Sequence, residues 1–369
     1  MAKIQANIND DIKTLKKIQF NNGGVIQNFK KIQTNNNGVI RTIFERVPEF
    51  IKLPNPANLP TGAGRCTAFS KDNRLLAVGH NNSPYITIYE INGNTFTKLT
   101  IPIGSYPTSA GNDVAFSSDN RFIAVAHDNA PYVTIYEING NKFTKLPNPA
   151  DLPTGNGYGI AFSSDNKFMA VAHNSSPFMT IYEINGNKFT KLPNPAVLPT
   201  SNGRGVAFSA DSKFMAVSLN FSPYLAIFSI SGDTFSKLPN PTGGLPDNQG
   251  NSVAFSTDSK FMAVAVISKT LTIFSVNGDS FTKLSRPDDL LSSNGFDIAF
   301  SADNRFMAVV HLSTPHITIC SMVGNTFTIL PNPADLPTDT GNGVAFSPDN
   351  KFMAVAHQGS PYITIYKIV

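Results

Sequence analysis

The sequence has no tryptophan and only two cysteines, Cys66 and Cys320, set far apart. A disulfide framework is therefore excluded, and both thiols read as small buried hydrophobes. Charge is scarce as well, at 15% of residues, so the surface must be built largely from Asn, Ser, Thr and Gly. No run of 18 apolar residues occurs, so no membrane span is expected. The opening residues, MAKIQANINDDIKTLKK, lack the apolar centre of a secretory signal. Phosphate loops, His-Glu-x-x-His pairs, EF-hand spacings and nucleophile elbows are all missing. These absences predict a chain that binds rather than catalyses, with no cofactor and no metal site.

What is present is apolar material, 41% of the chain, with 26 glycines and 26 prolines to punctuate it. That supports a large core with many turns and few long helices. Above all, the sequence repeats. The tripeptide Ala-Phe-Ser begins at Ala68, Ala115, Ala161, Ala207, Ala254, Ala299 and Ala345, at spacings of 45 to 47 residues. Seven copies account for residues 47–369, and a period of this length marks a propeller or a solenoid.

One copy can be read as four strands: Gly159–Ser163, Phe168–His173, Phe178–Ile184 and Lys188–Leu192. Asn185-Gly186 lies between the last two and predicts a tight hairpin whose central residues both have positive φ. Along Phe168–Ala172, Phe168, Ala170 and Ala172 face one way, while Met169 and Val171 face the other. A strand apolar on both faces needs sheet on both sides, which radially stacked blades provide. The expected fold is all-β: a seven-bladed β-propeller of four-stranded antiparallel blades.

The last copy stops at its third strand, and the missing piece sits at the other end. Phe50-Ile51-Lys52-Leu53-Pro54-Asn55-Pro56 matches Phe189-Thr190-Lys191-Leu192-Pro193-Asn194-Pro195. An N-terminal strand is therefore expected to complete the final blade and close the ring. Val344-Ala345-Phe346-Ser347-Pro348-Asp349-Asn350, with Ile363-Thr364-Ile365-Tyr366-Lys367-Ile368, resembles a WD-repeat, and closure by a terminal strand is similar to that family too. The resemblance implies an interaction platform. The usual tryptophan position holds Tyr89, Tyr136, Tyr182, Phe228, Phe274, Cys320 and Tyr366, and the Gly-His pair before the first strand is absent, so the family's buried polar tetrad does not carry over.

Repeat-locked polar residues read as structural. Asp72, Asp119, Asp165, Asp211, Asp258, Asp303 and Asp349 share one hairpin turn, where Asp bonds its own backbone. His80, His127, His173, His311 and His357 all end the second strand, with His316 elsewhere. Neighbouring blades hold them too far apart to share one ion, so each is expected to bond a neighbouring loop. The Pro-Asn-Pro connectors between blades read as rigid links that guard the outer edge.

Function is better sought where copies disagree. The residue three before Ala-Phe-Ser is Arg65, Asn112, Tyr158, Arg204, Asn251, Phe296 and Asn342. These seven are expected at the rim of the central channel, as binding candidates. Copies four and five replace the histidine with Leu219 and Val266, and Phe221 and Ile267 follow them as a candidate apolar patch.

Residues 1–46 stand outside the repeat. They hold eight Lys or Arg against three acids, a charge of +5, which leaves −1 on the remainder of a chain of net charge +4. Nucleic-acid binding by the propeller is not supported. Asn9 can cap a short helix ending near Lys16 and Lys17. Beyond it, Lys16-Lys17-Ile18-Gln19 and Gly24-Val25-Ile26 each recur 14 residues later. This Lys- and Asn-rich arm resembles attachment segments of phage tail or phage-like particle proteins. The expected protein is a virion or phage-tail accessory component: an arm (1–46) docks on other particle subunits, and a propeller (47–369) presents its loop face to a partner or host surface. The alternative is an intracellular, cytoplasmic WD-type scaffold. A propeller enzyme such as a lactonase is the third reading, and it would need a metal cluster at the channel mouth.

Overall fold

The computed structural model describes residues 19–22, 25–28, 33–34, 40–41, 48–268, 270–285 and 293–369. The chain divides into two compact units, Met1–Glu49 with Val369, and Phe50–Ile368. In the first, Gln19–Asn22 pairs with Val25–Asn28 and Gln33–Thr34 pairs with Ile40–Arg41, so each copy of the 14-residue duplication contributes one antiparallel strand pair. The helix expected at Asn9–Lys17 lies outside the described residues.

The second unit is seven four-stranded antiparallel sheets, numbered here as blades 1 to 7 from the one beginning at Gly64. Blade 3 runs Gly157–Phe162, Phe168–His173, Met179–Asn185 and Lys188–Lys191 from the innermost strand to the outermost. The other blades repeat it. Six residues of the second strand are buried in every blade. The two-faced pattern read from sequence explains why. Phe168, Ala170 and Ala172 of blade 3 pack on Met215, Val217 and Phe228 of blade 4. One blade's small face thus receives the next blade's bulky face, and each Phe or Met so buried contributes about 2 kcal/mol.

Among the described residues a ring pair lies at six of the seven joints, and at the joint between blades 1 and 2 Leu75 takes the place of one ring beside Phe143. Phe122 meets Phe189 edge-on at 5.3 Å, and Phe168 meets Phe235 at 5.2 Å. Phe50, from the N-terminal side, meets Phe306 of blade 6 in the same way, at 5.6 Å. It can do so because Phe50–Lys52 is the outer strand of blade 7, with Phe50 opposite Ile368 and Lys52 opposite Tyr366. The ring then closes where Phe352, Ala354 and Ala356 pack on Leu76, Val78 and Tyr89 of blade 1.

Two local readings are corrected. Positive φ in the outer hairpin belongs to Gly186 (59°) and not to Asn185, which is the last residue of its strand. The turn residues are therefore Gly186-Asn187, with the glycine at the first central position of a II′-type turn. Phe178 is also not a strand residue, because its φ of 69° turns the backbone out of the ladder.

The Asp turns are structural and link the blades. Asp165 Oδ1 accepts from Ser163 Oγ at 2.6 Å and from the Lys167 N–H at 3.2 Å. The Asp165 N–H donates onward to Ser212 Oγ of blade 4 at 3.1 Å. Asp349 makes the same step across the closure, donating its N–H to Asn73 Oδ1 at 2.9 Å.

The closing joint has little room to spare. A Cβ on Gly64 would lie 2.4 Å from the Tyr362 carbonyl oxygen, a backbone atom that cannot rotate away. Gly64→Ala is expected to cost about 2 kcal/mol and lower the melting temperature by roughly 5 °C. Calorimetry showing no change would mean the two backbones are not held this close.

Candidate functional site: the channel mouth

The innermost strands line the central channel, and each enters it with the residue three before Ala-Phe-Ser. Arg65, Asn112, Tyr158, Arg204, Asn251, Phe296 and Asn342 all line a single mouth of about 530 Å³. The remaining lining residues, Ala63, Asn81 and Gln358, carry no charge, so the described lining of the outer mouth holds two guanidinium groups, with the Asp128 carboxylate beside it accepting from Asn112 Nδ2 at 2.7 Å.

The structure divides the seven into two kinds. Asn112, Asn251 and Asn342 each donate Nδ2 to the carbonyl of the glycine that opens the next blade: Gly157 at 2.9 Å, Gly295 at 2.7 Å and Gly64 at 2.8 Å. These asparagines staple adjacent blades. The other four bring different chemistry, although both arginines also reach the adjacent blade. Arg204 stacks its guanidinium 5.0 Å from the centre of the Tyr158 ring, and Asn220 Oδ1 accepts from its Nη2 at 3.1 Å. Arg65 Nη1 donates to Asn112 Oδ1 at 2.6 Å. Tyr158 and Phe296 add aromatic edges to the same wall. Phe221, 64% exposed, and the half-buried Ile267 lie outside this lining, in the loops of blades 4 and 5.

One residue further in lies a tier that the sequence reading did not single out: Cys66, Asp113, Gly205, Ser252 and Asp297 line the constriction below the mouth. Asp113 accepts from the Val114 N–H at 2.8 Å and, across the joint, from the Ile160 N–H of blade 3 at 2.8 Å. Asp297 accepts from Ser252 Oγ at 2.6 Å and from the Val344 N–H of blade 7 at 2.9 Å. Both carboxylates retain some access to the lumen while protein surrounds them. Burial pushes Asp113 up to about 7, with the Asp297 charge adding and the two N–H groups opposing. Burial raises Asp297 as well. Burial, with Asp113 nearby, holds the Cys66 thiol well above its usual range, so it stays protonated. The signal was available in sequence: this position is glycine in blades 3, 4 and 7, and Asp113 and Asp297 interrupt that run.

The histidines sit apart from the channel, fully buried, each on its own threonine. His173 Nε2 lies 3.0 Å from Thr180 Oγ1, and the other four repeat this between 2.9 and 3.1 Å. In blade 2 the Nδ1–H donates to the Asn129 carbonyl at 2.9 Å, so Nε2 is the acceptor of the Thr134 hydroxyl. Burial lowers all five imidazoles to about 4, which keeps them neutral. Among the described residues, no three His, Cys, Asp or Glu side chains gather as a metal-holding group.

No protein-family profile and no curated protein matches the sequence. Solved structures do match in shape. A protein of Bacteroides uniformis assigned to the 6-phosphogluconolactonases is 16% identical, with a TM-score of 0.64 over 79% of this chain and 91% of its own. A chain of the mitotic checkpoint complex gives 16% and 0.65, over 85% of this chain and 94% of its own. A chain of Kuenenia stuttgartiensis hydrazine synthase also gives 16% and 0.65, over 85% and 97%. These likenesses show the fold alone. They nevertheless correct one expectation. The sequence reading held that the chain does not catalyse, yet a protein assigned to a lactonase class shares its architecture, so the propeller does not exclude chemistry. The physical reason is that the fold is a scaffold common to enzymes and non-enzymes, so the missing sequence motifs and the architecture together decide neither way. Among the described residues, no helix is long and apolar enough to cross a membrane.

Proposed function

We propose that the protein is a partner-binding module whose contact surface is the channel mouth. The observation carrying this is the composition of the rim: three asparagines bond the backbone of the next blade, while Arg65, Arg204, Tyr158 and Phe296 bring two guanidiniums and two aromatic rings to the same opening. Two guanidiniums beside two aromatic rings suit an acidic protein segment, and such residues dominate interface energetics.

The module serves as a virion or phage-tail accessory component. Residues 1–46 are its attachment arm, residues 47–369 its presenting domain. The support is the arm's +5 charge against a propeller of charge −1, together with its 14-residue duplication. Deleting residues 1–46 is expected to leave a folded propeller that no longer co-purifies with particles. Arg65→Glu with Arg204→Glu is expected to keep co-purification while weakening capture of the presented partner at least about tenfold. Incorporation of the arm-deleted form would end the particle reading and favour the intracellular scaffold.

A further inference from the structure

The outer strands carry a second kind of binding site, which one blade displays already filled. The connector between blades 4 and 5, Pro241-Thr242-Gly243-Gly244-Leu245, is one residue longer than its counterpart Pro195-Ala196-Val197-Leu198 between blades 3 and 4. Gly243 and Gly244, at φ 83° and 102°, use the extra length to press Thr242 onto the outer edge of blade 5. There the Thr242 N–H donates to the Phe281 carbonyl and the Lys283 N–H donates to the Thr242 carbonyl, both at 2.8 Å, in a parallel bridge. Lys283 Nζ then donates to the Leu245 carbonyl at 2.9 Å and pairs with Asp247 at 3.2 Å.

Blades 3 and 4 keep the same edge with nothing on it. Their short connectors leave clefts of about 390 and 360 Å³, floored by the outer strand and walled by Pro-Asn-Pro. The register is that of blade 5: Lys191 stands opposite Tyr182 and Lys237 opposite Phe228, as Lys283 stands opposite Phe274. The Lys191 and Lys237 N–H groups therefore point outward, as do the carbonyls of Phe189 and Phe235. Among the described residues neither lysine forms an ion pair.

From this we infer that the clefts on blades 3 and 4 bind an extended peptide by parallel strand addition, with a small residue at the edge and an acid five positions on to meet Lys191 or Lys237. The ligand chemistry is taken from the segment that fills blade 5, in which Thr242 precedes Asp247 by that spacing. Main-chain hydrogen bonds supply the attachment and the lysine supplies the selectivity. This site is separate from the mouth, so Arg65→Glu with Arg204→Glu leaves it unchanged.

The test titrates a labelled peptide of residues 241–248, Pro-Thr-Gly-Gly-Leu-Pro-Asp-Asn, into the full chain. Saturable binding is expected, with the clefts on blades 3 and 4 among the sites. Lys191→Pro with Lys237→Pro deletes the outward N–H groups, which carry no ladder bond, and is expected to weaken binding roughly tenfold or more. Lys191→Met with Lys237→Met keeps the edge and is expected to lose severalfold. A peptide with alanine for Asp247 should lose the same factor on the parent chain and nothing further on the Met variant. Absence of binding at millimolar peptide, or equal binding by all variants, overturns the inference. Concentration-dependent dimers that vanish in the proline variant also overturn it, replacing the peptide with a second copy of the chain.

Discussion

Deletion of residues 47–56 is expected to lower the melting temperature by more than about 10 °C or to abolish a single cooperative transition. The deletion removes two buried anchors, Phe50 and Leu53, and the ladder that ends with the Leu53 N–H on the Ile365 carbonyl at 2.8 Å. Losing two such side chains costs more than about 5 kcal/mol together. Blade 7 would then show an unpaired edge, and Phe306 would lose its edge-on ring. Because each blade is stable only against its neighbours, the damage spreads beyond the blade that is cut. Calorimetry on the deleted chain decides the matter, and an unchanged transition would mean the ring closes without this strand.

The second large effect is acid lability. Five histidines with folded values near 4 have unfolded values near 6.5. Between those limits the unfolded chain binds protons that the folded chain refuses, so stability is complete above pH 6.5 and falls as pH drops toward 4. Protonation also makes Nε2 a donor, which removes the acceptor of the threonine hydroxyl. Asp113 and Asp297 act in the opposite sense, because burial raises both. With a folded value near 7, Asp113 keeps its proton in the folded chain and favours folding more as pH falls from 7 toward 4, and Asp297 adds in the same direction. Five groups outweigh two, and the net loss by pH 5 is on the order of 5 kcal/mol, a large part of the stability of a typical domain. Circular dichroism should show cooperative unfolding centred near pH 5, and a chain still folded at pH 4 would refute the account. Blade 4 supplies the control, because it holds Leu219 and Ala226 where five of the other blades pair His with Thr. His173→Leu with Thr180→Ala should leave neutral stability nearly unchanged and shift the acid midpoint downward.

Much of this architecture could be read from residues alone. Period-two alternation in Phe168–Ala172 predicted both faces of each joint, and Phe50–Pro56 predicted the closing strand, because packing and register are written in side-chain type. The channel was half legible. Variation among copies located the seven rim residues, but it could not separate asparagines that bond the next blade's backbone from arginines held by side chains. That distinction depends on which carbonyl lies within reach of Nδ2, a distance between blades that no local pattern encodes. Asp113 and Asp297 escaped for a related reason: their significance is confinement, and confinement comes from the ring as a whole. The Asn-Gly turns were placed one residue early, since propensity identifies a hairpin more readily than it assigns φ to either member.

The closing strand also determines how the ring responds to tension. Phe50 lies opposite Ile368, so the chain enters and leaves blade 7 at the same end of one antiparallel pair. A pull between those two points loads the paired bonds of Glu49 and Val369 first, then the Ile51–Lys367 position, then the Leu53 bond to Ile365, so the bonds break in succession and not in concert. The clasp therefore resists heat as part of a cooperative ring and yields to traction like a zipper. A machine gripping the two ends of the chain would open the propeller at blade 7 before disturbing any other joint.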